Sequence, residues 1–237
     1  MIKFFRKIRQ KLLSENRFSK YLIYAIGEIL LVVIGILIAL QINNWNEGRI
    51  RQKEEQKIIK SVVKEIESNI EKLSESITVN KSCAQKSKGF IEDSYSKENF
   101  ETEISIIPFL FCYTDNEIDN STLNEILGTN SRALISKEEY LEQLRDLKLN
   151  YDRLENRKKT VDSYWNNTAM DFLKNSGAGI YLIRNLNIEI PTKKFHPNDE
   201  LFSILSIMNG FQNGLVSSQE DLYHSLEETL EVLKFKE

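Results

Sequence analysis

The 237-residue chain holds little that interrupts a helix: nine glycines and three prolines. Against abundant Leu, Ile, Glu and Lys, that scarcity excludes the turn-rich patterns of sandwiches and barrels and favours long helices. Two cysteines, Cys83 and Cys112, lie far apart and form no C-x-x-C, which argues against a metal cluster or a dithiol redox centre. The two histidines, His196 and His224, have no second His, Cys or metal-spaced carboxylate beside them and read as surface residues. No G-x-S-x-G, phosphate-binding loop or dinucleotide fingerprint occurs. The acidic run Asp115–Asn120 fails as a calcium loop, because Asn120 stands where Gly is needed and Ile126 where Glu is needed. Helix capping explains that run better. The net charge is only −3, and the soluble part has no extended basic patch for nucleic acid. Arg157, Lys158 and Lys159 make one short cluster that reads as a solvated helix face. Neither a reaction nor a cofactor is expected.

What the chain does have is one long apolar run. Tyr21–Ile42 would rise roughly 33 Å as a helix, against a hydrocarbon core of about 30 Å. Ile29–Leu40 is apolar on every side, unlike a helix buried on one face of a soluble protein. The run is too long for a cleaved signal peptide, and Ala39-Leu40-Gln41 lacks the small residue such a cut needs. It reads as an uncleaved signal anchor. Before it lie Lys3, Arg6, Lys7, Arg9, Lys11, Arg17 and Lys20 against one acid, Glu15. After it, Arg49, Arg51, Lys53 and Lys57 are mixed with Glu47, Glu54 and Glu55. That bias places the N-terminus inside and the rest of the chain outside the cytoplasm. In Met1–Leu13, Phe4, Phe5, Ile8 and Leu12 oppose the cations, which suits a helix lying on an anionic membrane surface.

Within the span, Ala25, Glu28, Val32, Gly35 and Ala39 follow one another at steps of three and four and share one face. Gly35-x-x-x-Ala39 is the kind of small pair that lets two helices approach closely. Glu28 on that face is costly toward lipid. It must carry a proton, face a partner helix or face water. A homo-oligomer or a partner membrane protein is the expectation, with proton or ion handling as a rival.

The remaining chain reads as helices. Trp45 is placed for the interfacial aromatic belt, and residues 43–57 read as a stalk. Residues 58–237 read as an extracytoplasmic bundle. A first stripe runs through Ile59, Val62, Ile66, Ile70, Leu73, Ile77 and Ala84. The apolar run Ile104–Tyr113, broken by Pro108, is expected to be a buried short strand or helical turn. Thr122 with Glu125 reads as a capping box for a short helix ended by Gly128, and Ser136 with Glu139 as a second box. Behind the second box come Tyr140, Leu144, Leu147, Tyr151, Leu154, Val161, Trp165 and Phe172, to a stop at Gly177. A loop with an apolar patch at Ile180–Ile183 precedes a last helix capped by Asp199, which Gly210 and Gly214 could bend. Long amphipathic helices need one another, so the expected class is all-α. A membrane helix continues into an antiparallel bundle of long helices. Cys83, late on the first helix, and Cys112 in the apolar run could pair across about thirty residues in an oxidising compartment.

The segment KYLIYAIGEILLVVIGILIALQINNWNE, Lys20–Glu47, resembles the N-terminal signature of a family of uncharacterised bacterial membrane-anchored proteins, known only as a domain of unknown function. Ser121–Leu127, Leu134-Ile135 and the helix from Glu138 are similar to it as well, with a departure at Gly128-Thr129-Asn130, where the family's turn is placed differently. The resemblance implies a Gram-negative inner-membrane protein and supplies no activity. Outside the membrane, a sensor or ligand-binding module is the rival to a plain interaction protein. A cavity lined by Trp165, Tyr151 and charged groups would favour the sensor.

Overall fold

The computed structural model describes residues 18–98, 100–103, 110, 112–114, 116–128, 135–176, 194–196 and 199–234. The amphipathic stretch Met1–Leu13, most of the run 104–113 and the patch 180–183 lie outside them. Helix α1 spans Phe18–Ser96, 79 residues without a break at Gly48. A two-residue strand β1 follows at Thr102–Glu103, then α2 at Ser121–Gly128, α3 at Glu138–Tyr164 and a π-helical turn at Trp165–Ala169. Helix α4 (Met170–Asn175), strand β2 (Lys194–Phe195) and helix α5 (Glu200–Lys234) complete the chain. It divides into two compact units, Met1–Gln56 and Lys57–Glu237.

In the first unit, the large apolar side chains of α1 from Leu22 to Ile42 are 45–70% exposed, and Trp45 is exposed with them. By length and composition, this is a helix able to cross a membrane.

The second unit is the expected helical bundle. Ion pairs join Lys234 to Glu67 and Lys81 to Glu220, both at 2.5 Å. Phe90 stacks on Phe202. Numbers fall along α5 as they rise along α1, so the two are antiparallel. Helix α5 is antiparallel to α3 too, through Gln143 with Thr229 and Tyr164 with Phe211. Helices α1 and α3 therefore point the same way, and the chain must come back between them. The core is the seam among these helices, where Leu144, Leu147, Leu205, Met208, Leu222 and Leu226 are almost fully buried. Burying each such side chain contributes about 2 kcal/mol.

Several local expectations are corrected. Helix α2 opens at Ser121, not on a Thr122 box; its first N–H groups go to Asp119 Oδ1 at 2.9 Å and, from α1, Glu65 Oε2 at 2.9 Å. Helix α3 opens at Glu138 with Lys137 at its N-cap, one residue beyond Ser136, and Lys137 makes no side-chain cap bond. Neither Gly210 nor Gly214 interrupts α5. The stripe of α3 shifts from Phe172 to Leu173, which is fully buried. Val161, Trp165, Ala169 and Leu173 are four apart, more than the 3.6 residues of an α-turn; the wider π-turn absorbs the excess. Strands β1 and β2 pair antiparallel, Thr102 with Phe195 and Glu103 with Lys194, and β2 lies inside the segment expected to be a loop. Beside them Lys194 bonds Glu101 at 2.5 Å, and this bond and charge hold the Glu101 carboxyl below its usual range.

Candidate functional site: a helix face and a clamped strap

Helix α1 carries Ala25, Glu28, Val32, Gly35 and Ala39 on one face, as their spacing requires. Ala25 and Glu28 are half-buried, and the other three are exposed. Among the described residues, a Cβ built on Gly35 would meet nothing within 4 Å, which leaves room at that point for close approach.

In the bundle, sequence reasoning missed a row of polar core residues. Buried positions on α1 continue at steps of three and four through Asn69, Leu73, Ser76, Asn80 and Cys83, and Ser87 and Ser94 follow at the same period. Helix α5 answers with buried Gln212, Gln219 and Thr229. The signal was available: an apolar stripe whose own period is continued by Asn, Ser and Gln.

Two of these asparagines clamp the returning chain. Asn80 Oδ1 accepts from the Thr114 N–H at 2.8 Å, while its Nδ2 donates to the Thr114 carbonyl at 2.9 Å. Asn69 does the same to Asp119: its Oδ1 accepts from the N–H at 3.0 Å and its Nδ2 donates to the carbonyl. Each carboxamide acts as a one-residue strand partner. Their spacing explains the match. From Asn69 to Asn80 is about three helical turns, so both point to one side, and the rise is roughly 16.5 Å. From Thr114 to Asp119 an extended chain spans about the same distance. The strap thus runs down α1, antiparallel to it. Lys72 Nζ donates to the Glu117 carbonyl at 2.9 Å and Asn116 Nδ2 to the Lys72 carbonyl at 3.2 Å.

The structure brings the two cysteines together at the top of this strap: Cys83 and Cys112 are joined as a disulfide with Cα atoms 5.6 Å apart. Gln212 Nε2 donates to the Cys112 carbonyl at 2.7 Å. Among the described residues, the buried Oγ atoms of Ser76 and Ser87 and Oε1 of Gln212 find no protein partner. At the lower end, Asn69 Nδ2 also donates to the Tyr151 hydroxyl at 2.7 Å. Burial raises the Tyr151 hydroxyl well above an ordinary tyrosine. Asp119 is held below the usual carboxylate range, chiefly by the Ser121 N–H it accepts, so the acidic run does serve as a helix cap.

Between strap and α3 lies a cleft of about 420 Å³, bordered by Tyr151, Lys148, Asp152, Glu155 and Lys158. Trp165 does not reach it. Four of its charges are paired, Lys148 with Asp152 and Lys158 with Glu155; Glu117 also borders it. Both histidines are exposed; His224 lies 3.7 Å from Glu227. Among the described residues, no group of three His, Cys, Asp or Glu side chains could hold a metal ion.

Residues 28–108 match the model of a family of unknown function (DUF6090). The match takes in Glu28–Glu47 of the N-terminal segment and the first long helix, and it ends before Ser121–Leu127. No curated protein and no solved structure matches the chain.

Proposed function

We propose that the chain is a non-enzymatic, membrane-anchored interaction protein of the bacterial inner membrane. Its N-terminus lies in the cytoplasm and its bundle in the periplasm. The anchor docks on a second transmembrane helix, from another copy or from a partner membrane protein, through Ala25, Glu28, Val32, Gly35 and Ala39. The carrying observation is the exposed apolar length of α1, with Glu28 and Gly35 on one face of it. Lipid can cover the apolar residues, but a carboxyl group turned toward lipid at that depth is costly. Close helix approach at the small residues would shield it from lipid. The Cys83–Cys112 bridge supports an oxidising compartment for the bundle, and the basic N-terminal block supports the same orientation.

Crosslinking of the full chain in membranes tests this. Glu28→Gln keeps shape and hydrogen bonding and should preserve assembly. Glu28→Leu and Gly35→Leu should both weaken it, the first by removing the polar contact and the second by steric exclusion. If both assemble as wild type, this face is not an interface. If Glu28→Gln assembles but abolishes a proton or ion flux seen for wild type in liposomes, the chain is a conducting oligomer.

One observation favours a second reading, a ligand-binding or sensor module: the cleft where Tyr151 meets five charged side chains. Lys148→Ala with Lys158→Ala would then abolish a response of the cell and leave crosslinking intact.

A further inference from the structure

A second groove of about 580 Å³ lies on the bundle between α3 and α5, bordered by Arg153, Asn156, Arg157, Ser217, Ser218 and Asp221. Arg157 sets it apart. On a chain rich in ion pairs, Arg157 makes no ion pair or hydrogen bond with any described residue, although Glu155 and Asp221 are near in sequence or across the groove. Its guanidinium lies instead across α5 at Gly214. A Cβ there would stand 3.2 Å from Arg157 Cζ and 3.3 Å from one terminal nitrogen. Glycine inside a helix is destabilising. At this position it permits the close approach of a planar cation, and a Cβ there would make the guanidinium give way by a few tenths of an ångström.

The neighbours supply further donors. Among the described residues, the Arg153 guanidinium is engaged only by Asn150, at 3.1 Å. The exposed Ser217 hydroxyl and the Asn156 carboxamide add neutral donors. Asp221 is the one acid at the rim, so two guanidinium groups face one carboxylate. A flat five-donor fork without a carboxylate partner, beside a second fork and a hydroxyl, matches the geometry of a tetrahedral oxyanion. We propose that this groove binds a phosphoryl group, carried by free phosphate or by a phosphate-bearing lipid headgroup. Arg157 is the bidentate contact, Arg153 a second positive charge, and Gly214 the residue that seats Arg157. The groove belongs to the bundle and stands whatever the membrane helix packs against.

The test is a 31P NMR titration of the full-length protein in mild detergent at low salt. The probes are inorganic phosphate and, for a headgroup, short-chain dihexanoyl phosphatidic acid. Saturable binding of either is expected, and the stronger probe identifies the source. Arg157→Ala should weaken it by about tenfold or more, since it removes a bidentate pair of charge-assisted bonds, each of which alone is worth about tenfold. Arg157→Lys should recover only part, because an ammonium lacks the fork. Gly214→Ala should weaken binding with Arg157 still present. Asp221→Asn should tighten it, by roughly threefold, a gain that misfolding cannot mimic. Wild-type protein that binds neither probe saturably overturns the assignment, and so does an Arg157→Ala protein that binds both as wild type does.

Discussion

Replacing Asn80 by alanine removes three hydrogen bonds at one point: two with the Thr114 peptide groups and one from Nδ2 to Gln219 Oε1 at 3.1 Å. Each is worth about 1 kcal/mol net. The Gln219 side chain is buried, so its carbonyl is left without a partner, which costs about 1 kcal/mol more. Thr114 is half-buried and water can reach part of what it loses. The sum is about 4 kcal/mol, a large fraction of the roughly 5–15 kcal/mol that holds a typical domain together. Asn80→Asp should be worse than alanine, since it keeps the acceptor but turns a buried donor into a charge facing two carbonyl oxygens. Asn213→Ala is the control: that residue is exposed and bonds only within its own helix, so its change should stay within ~0.5 kcal/mol. Urea unfolding of the full chain in detergent measures the total, and amide exchange at Thr114 reports the clamp itself. A cost below about 1 kcal/mol, or an unchanged Thr114 exchange rate, would refute the idea that the carboxamides hold the strap.

Four further outcomes are expected. Breaking the Cys83–Cys112 link with a double serine variant should cost roughly 3–4 kcal/mol in the chain-entropy model, given its sequence separation of 29; recovery of both peptides with free thiols from unreduced native protein would rule the link out. Tyr151 has a folded-state hydroxyl value above its unfolded one, so its contribution is complete below about pH 10 and is lost as pH rises toward the folded value, by about 1.4 kcal/mol per pH unit. Tyr151→Phe should therefore flatten the alkaline limb of the stability curve, and an unchanged limb would exclude this residue as its source. Leu144, fully buried between helices, should cost about 2–5 kcal/mol when cut to alanine, read from the shift of the urea midpoint. A cysteine placed beside Glu237 should react with a membrane-impermeant label in cells whose outer membrane is permeabilised; labelling only after lysis would reverse the topology.

Periodicity alone was enough for the long helices. The apolar run at Tyr21–Ile42, the stripes from Ile59 and Tyr140, and the last helix from Asp199 each repeat at the helical period, and local chain geometry enforces that period whatever surrounds it. The open face with Glu28 and Gly35 follows from the same arithmetic. What periodicity could not say is how the helices are joined. An apolar stripe has the same spacing whether its partner runs parallel or antiparallel, so the common direction of α1 and α3 was invisible in it. Tertiary structure decided that through the strap, whose five residue steps from Thr114 to Asp119 match three turns of α1 and make Asn69 and Asn80 core residues rather than surface ones. The start of α2 also lay beyond local reading, because Glu65, far away in sequence, accepts the Thr122 N–H, and Thr122 itself stands inside the helix that it was expected to cap. So did the seat of Arg157: a glycine at 214 reads as a helix breaker until another helix lays a guanidinium across it. Local geometry is written in neighbouring residues, while partners for polar groups are assigned by contacts that exist only once the chain has folded.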